Sequence, residues 1–469
     1  MGKKLIFTIS LLAVLLLAKA DGFRVEVKWD GLKDTSIYLA HYFDTNIYVN
    51  DTLQLNSNGQ GVFEGDSLLP QGLYMLYLNG NYYFDVLIGE KQKIKVKTNN
   101  IHLIDSLVIS GSDESRDFVN YQQYIRRQSN LKNSYLEKLK SENNEEAAEA
   151  RTQIDRIDNE MKTYIDNGIE KSGDNMFGAF LKAANQADIP EPNFDKAHPQ
   201  YDSLAWFYAY NYRRDHFLEG VDFNDERLLR TPLLRPKLDV YFNKILIQSP
   251  DSIIPQAIKL LRNAEKQPEM YQYLSSFLIN NSVQSKIMGM DAVFVAMADE
   301  VFLSGKAFWA DSAQYIKIAE EAYLTRPNLI GNIAPDLEME DIDGEMETLH
   351  QLQSDYTILL FYEYNCGHCK KTIPAIYNDV YMKFLDHNIE VFAVCMNDDK
   401  EKWVEFVNEH ELVGWHHVWD VDHRSKFRFK YNVKSTPIIY LLDKNKKIIA
   451  KKLDNDNLIM LLNTLLNKK

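Results

Sequence analysis

Cys366, Gly367, His368 and Cys369 form a C-x-x-C. Two thiols at this spacing can pass electrons. A thiolate at the first attacks a disulfide sulfur, and the second closes the ring and expels the substrate as a free thiol. The first thiol must ionise for this to work. A helix start favours that, because its unsatisfied N–H groups and partial positive charge stabilise an anion and lower the cysteine pKa below about 8.5. The sequence supplies such a start. Thr357 to Tyr362 is an apolar run that reads as a buried strand. A helix is expected from about Cys366 to Leu385, kinked at Pro374. Cys366 is therefore the expected attacking residue and Cys369 the resolving one. Gly367 permits close approach and His368 adds polarity beside the sulfurs, so both are expected to tune the pair.

A metal would need more ligands than one C-x-x-C offers. His416 and His417 are far away in sequence, and no second C-x-x-C exists. A c-type haem motif is excluded because Lys370, not histidine, follows Cys369. No metal and no cofactor is expected. The third cysteine, Cys395, ends an apolar run from Glu390 and reads as an inert buried thiol. With only 3 cysteines in 469 residues, the usage is catalytic rather than a framework of staples.

The elements around the motif alternate. Strands are expected at Thr357–Tyr362, Glu390–Cys395, Pro437–Leu442 and Lys447–Leu453, with helices at Lys400–Glu411 and Leu458–Asn467. That pattern makes residues 327–469 an α/β domain beginning at Arg326-Pro327. Residues 21–111 read as short strands in an antiparallel, β-sandwich-like domain, with a hairpin around Asn79-Gly80-Asn81. Residues 112–326 read as an all-α region. Ile154, Ile157, Met161, Ile165 and Ile169 form one helical face, two antiparallel helices break at Ser141–Asn144, and Met288–Phe302 is a core helix. The fold class is thus multidomain: β, then α, then α/β.

Residues 1–20 look like a signal peptide. Lys3 and Lys4 precede an apolar run from Leu5 to Leu17, and Ala18-Lys19-Ala20 is an A-x-A cleavage site before Asp21. Export to the periplasm or cell envelope is expected, with membrane anchoring if the segment stays uncleaved. The net charge of −14 argues against nucleic acid as a partner and against a polybasic membrane-surface binder.

Phe361 to Pro374, FYEYNCGHCKKTIP, resembles the active-site segment of the thioredoxin superfamily, and most of all that of exported TlpA/ResA-type proteins. Ile330–Asp336 with Asp341–Gly344 resembles that family's extra hairpin, and Trp415–Asp422 the segment before its third strand. Tyr431 to Asp443, YNVKSTPIIYLLD, resembles the cis-proline loop. The resemblance implies a cis Thr436-Pro437 peptide facing the dithiol, where the Thr436 backbone holds an extended substrate. It also implies protein disulfide and thiol substrates and a membrane or periplasmic thiol electron donor. The upstream modules look like those of multidomain thioredoxin-like envelope proteins, and their oligomeric state is open. Three positions depart from the pattern: Leu360 replaces a buried acid, Thr372 a glutamate, and Asn365 a tryptophan. Glu363, the nearest acid, is expected to face solvent. The expected function is a cell-envelope thiol–disulfide oxidoreductase that reduces or isomerises protein disulfides. The alternatives are an envelope binding or assembly protein with an accessory redox domain, or a thiol peroxidase, which shares the Ala334-Pro335 opening.

Overall fold

The computed structural model describes residues 22–79, 82–140 and 144–467. The expected leader at 1–20, the hairpin tip at Gly80-Asn81 and the break at 141–143 lie outside the described residues. The described chain forms two compact units that divide between Ile245 and Leu246.

The first unit opens with eight strands: β1 (Phe23–Asp30), β2 (Ser36–Phe43), β3 (Asn46–Gln54), β4 (Gln60–Gly65), β5 (Gly72–Asn79), β6 (Tyr82–Ile88), β7 (Lys93–Asn99) and β8 (Val108–Ser110). They make two four-stranded sheets, ordered β4-β1-β7-β8 and β3-β2-β5-β6. Val25, Val27, Trp29, Ile94 and Val96 from one sheet pack against Ile37, Leu39, Leu76, Phe84 and Val86 from the other. The expected antiparallel sandwich needs one correction: β1 and β7 pair in parallel. An alternating strand looks the same whichever way its partner runs. The helices α1 (Asp113–Lys138), α2 (Asn144–Ser172), α3 (Met176–Ala184), α4 (Tyr201–His216) and α5 (Leu234–Val240) follow. Phe118 on α1 and Phe177, Phe180 and Leu181 on α3 cover the outer face of the β2-β5-β6 sheet at Tyr42, Leu73 and Leu87.

The second unit begins with α6 (Pro250–Ala264), α7 (Pro268–Gln284), α8 (Asp291–Met297) and α9 (Ser312–Thr325). The expected core helix at Met288–Phe302 is shorter in α-form, passing into a π-helical stretch at Ala298–Leu303. The α/β part then contains β9 (Glu338–Asp341), β10 (Met346–Thr348), β11 (Tyr356–Tyr362), α10 (Cys369–Ala375), β12 (Ile389–Cys395), α11 (Lys400–Glu409), β13 (His416–Trp419), α12 (Phe427–Lys430), β14 (Ile438–Asp443), β15 (Ile448–Lys451) and α13 (Asn455–Leu466). Its seven-stranded sheet runs β10-β9-β13-β12-β11-β14-β15. Strands β11, β12 and β13 are parallel, and β14 runs against β11. The central strand β11 is buried on both faces, as its continuous apolar run requires. Ile358, Leu360 and Tyr362 enter one core, and Leu359 and Phe361 the other. Arg326–Asn328, the expected start of the last domain, is a single 3-10 turn within this unit. There the buried Asn328 donates to the Lys430 carbonyl at 2.7 Å.

Candidate active site

Strand β11 ends at Tyr362, and the chain then turns through Glu363–His368 into α10. The helix begins at Cys369 rather than at Cys366, then continues as a π-helical stretch at Ile376–Tyr381 and a 3-10 turn at Met382–Phe384. Pro374 lies inside its first segment. Proline removes one i→i−4 hydrogen bond, which accounts for a helix that does not stay α-helical to its end.

This geometry places the two sulfurs differently. Cys366 is half-buried and Cys369 is fully buried, and both are free thiols. The Cys369 backbone N–H lowers the Cys366 pKa most, and the Thr436 side chain, the Cys369 thiol and the His368 N–H lower it further. The two backbone N–H groups are the unsatisfied donors of a helix start acting on a thiolate. Burial pushes Cys369 up to about 11. The pair is therefore polarised, with an accessible sulfur that ionises readily and a buried one that holds its proton. Gly367 has open space where a side chain would be, and His368 is exposed.

The Thr436–Pro437 peptide is cis. Cys366 Sγ lies 3.7 Å from the Thr436 carbonyl oxygen. The six sequence-selected residues Cys366, Gly367, His368, Cys369, Thr436 and Pro437 thus gather at one end of the sheet, where β11 finishes and β14 begins. His416 and His417 do not join them: His416 pairs with Glu347 at 2.7 Å, and His417 bonds the Leu412 carbonyl at 2.7 Å. Among the described residues, no three His, Cys, Asp or Glu side chains could hold a metal together. Burial pushes Cys395 up to about 12, so this thiol stays protonated.

Sequence reading missed two supports of the site. Asn397 accepts from the Tyr364 N–H at 2.9 Å and donates to the Asn365 side chain at 3.2 Å, clamping the turn before Cys366. Glu363 accepts from the Thr436 hydroxyl at 2.9 Å instead of facing only solvent. Both follow from register. Tyr362 pairs with Cys395 on β12, so two residues on Tyr364 meets Asn397. Phe361 pairs with Ile438 on antiparallel β14, so Glu363 meets Thr436.

Residues 330–451 match the family model described as the AhpC/TSA family. Residues 23–118 match a domain of unknown function, DUF4369. The thiol-disulfide oxidoreductase ResA of a Bacillus cereus strain is 26% identical over 122 residues, covering 26% of this chain and 68% of that protein. ResA of Bacillus anthracis is 27% identical over 120 residues, covering 26% of this chain and 67% of that protein. The crystal structure of a domain of a possible thiol-disulfide isomerase from Cytophaga hutchinsonii shares 35% identity, covering 30% of this chain and 97% of that one, with a TM-score of 0.28. The C-terminal α/β part is thioredoxin-like, and the chain is an oxidoreductase related to the thiol–disulfide oxidoreductases. Among the described residues, no helix is long and apolar enough to cross a membrane.

Proposed function

We propose that this chain, a multidomain thioredoxin-superfamily protein with ResA among its relatives, exchanges disulfides of protein substrates in the cell envelope through Cys366 and Cys369. The observation that carries this reading is the polarised pair: a lowered pKa at accessible Cys366 beside a raised one at buried Cys369. The Cys366 thiolate attacks a substrate disulfide, forming a mixed disulfide and releasing one substrate thiolate. Cys369 then attacks Cys366 Sγ, closing the internal disulfide and releasing the second substrate thiol. Two electrons pass to the substrate, and an external thiol donor returns them. Gly367 leaves the approach to Cys366 open, and the Thr436 carbonyl beside cis-Pro437 offers an acceptor to an extended substrate backbone. Residues 1–20 are the proposed export signal.

The test is trapping. Cys369→Ser should accumulate mixed disulfides through Cys366, because attack survives and resolution does not. Cys366→Ser should trap nothing and lose reduction of an insulin-type disulfide. Retained activity in Cys366→Ser would assign the nucleophile elsewhere. Faster oxidation of the reduced protein by peroxide than by disulfide would favour the peroxidase reading instead.

A further inference from the structure

Helix α4, Tyr201–His216, contains no buried residue, although six of its 16 residues are Phe, Trp or Tyr. Trp206 is 68% exposed and the adjacent Phe207 58%. Large aromatics left this open side by side on one helix mark a surface that something covers. Trp206 is nevertheless held in place. Its ring stacks on Tyr210 at 5.8 Å and 10°, and the Tyr210 hydroxyl donates to the Ile245 carbonyl at 3.2 Å. The charges at the two ends of the helix are equally open. Arg214 pairs with Asp215 at 2.8 Å. Asp202 and Arg213 are exposed, and among the described residues neither side chain has an ion-pair or hydrogen-bond partner.

We infer that the chain dimerises through α4, with the α4 of a second copy lying antiparallel across it. Asp202, Trp206, Ala209 and Arg213 follow one another at spacings of four, three and four, which is one helical face. Taken in reverse order, that stripe is its own complement. A two-fold axis between Phe207 and Tyr208 sets Asp202 of each copy opposite Arg213 of the other, and Trp206 opposite Ala209. An acid meets a base and a large side chain meets a small one, each twice, as an isologous contact requires. At about 1.5 Å of rise per residue, the two charge pairs lie about 8 Å along the helix on either side of the axis.

Charge also fixes the direction. A parallel pair would set Asp202 against Asp202 and Arg213 against Arg213, and like charges face to face oppose association. Antiparallel helices have opposed dipoles as well. An unrelated partner would need no such palindrome, whereas a second copy does. A contact limited to one helix of about 24 Å per copy is at the small end of specific interfaces, so the dimer is weak, with a Kd on the order of 10 µM. The contact uses no atom of the dithiol, and each copy brings its own Cys366 and Cys369.

The test is sedimentation of the chain from Asp21 onward between about 1 and 100 µM, a range that brackets this Kd. Dithiothreitol is present throughout, which removes any intermolecular disulfide. The unmutated chain should pass from monomer to dimer across that range. Trp206→Ala should weaken association by at least about thirtyfold, as loss of a central Trp anchor does. Asp202→Arg and Arg213→Asp should each weaken it by about tenfold, since each reversal creates two like-charge pairs. The double variant carrying both reversals should dimerise again. So should an equimolar mixture of the two single variants, because only the mixed dimer restores both opposite-charge pairs. Circular dichroism should show every variant folded, since all three side chains are exposed. A monomer at every concentration overturns the dimer, whether another protein or another part of the chain then covers α4. A dimer that Trp206→Ala and both reversals leave unchanged places the contact elsewhere and overturns the part of α4 in it. A mixture of the two reversal variants that stays monomeric overturns the antiparallel pairing.

Discussion

The Trp403 indole N–H donates to the Tyr362 hydroxyl at 2.9 Å, with both side chains wholly buried. Tyr362 is the last residue of β11 and shares a core with Cys369 and Cys395. Trp403, from α11, also stacks on Trp419 of β13 at 5.5 Å. The bond therefore ties the strand that delivers the dithiol to a neighbouring helix. Tyr362→Phe leaves the indole N–H unpaired in the core, which costs about 1–3 kcal/mol. Urea unfolding should show a lower midpoint at unchanged slope. An unchanged midpoint would mean that the bond contributes nothing to the fold.

The first unit holds a carboxyl that titrates well above its ordinary range. Tyr42 donates its hydroxyl to Asp85 at 2.9 Å. Burial raises the Asp85 pKa to about 6, only partly offset by this hydrogen bond. A folded-state pKa above the unfolded value of about 3.9 means that the native state binds the proton more tightly. Asp85 therefore lowers stability as pH rises from about 4 to about 6, and the loss is complete above that. Asp85→Asn keeps an acceptor for Tyr42 without the charge. It should stabilise the protein by about 1–2 kcal/mol at pH 7, the side chain being only half-buried, and by little at pH 4. Denaturant midpoints at the two pH values check this, and an equal effect at both would refute it.

Lys451 on β15 is buried, forms an ion pair with Asp291 on α8, and donates to the Asn328 carbonyl. Burial lowers its pKa and the Asp291 charge works against that. Asp291→Ala leaves a buried ammonium without its counterion, at a cost of about 3 kcal/mol. For the same reason a fragment of residues 246–469 should unfold at higher denaturant than one of residues 327–469, which lacks Asp291. Equal midpoints for the two fragments would show that the helices before Arg326 add nothing to the α/β fold.

The dipeptide between the cysteines sets redox poise. The His368 backbone N–H is among the donors that favour the Cys366 thiolate. His368 has φ −71°, which proline can adopt. His368→Pro should therefore fit while removing that donor and a polar neighbour. Loss of one such bond, about 1.4 kcal/mol, makes the potential about 30 mV more reducing. Equilibration against glutathione or dithiothreitol, read by thiol labelling and mass, measures this. An unchanged or less reducing potential would show that His368 does not support the thiolate.

The local chemistry of the dithiol was legible in the order of residues alone. An apolar run, a turn and a helix start put Cys366 and Cys369 where one strand feeds one helix, and each part of that signal lies within about twenty residues. The order of strands and helices likewise showed an α/β end after a helical middle and a β beginning. The remainder depends on pairing between distant segments. The Glu363–Thr436 contact spans 73 residues and the Tyr364–Asn397 clamp spans 33. Both come from strand register, which alternation alone leaves open because every strand repeats with period two. The same ambiguity hid the parallel pairing of β1 with β7. The unequal pKa values of Cys366 and Cys369 were invisible for a related reason. They arise from how deeply each sulfur is buried and which N–H groups converge on it, and only the packed fold sets either.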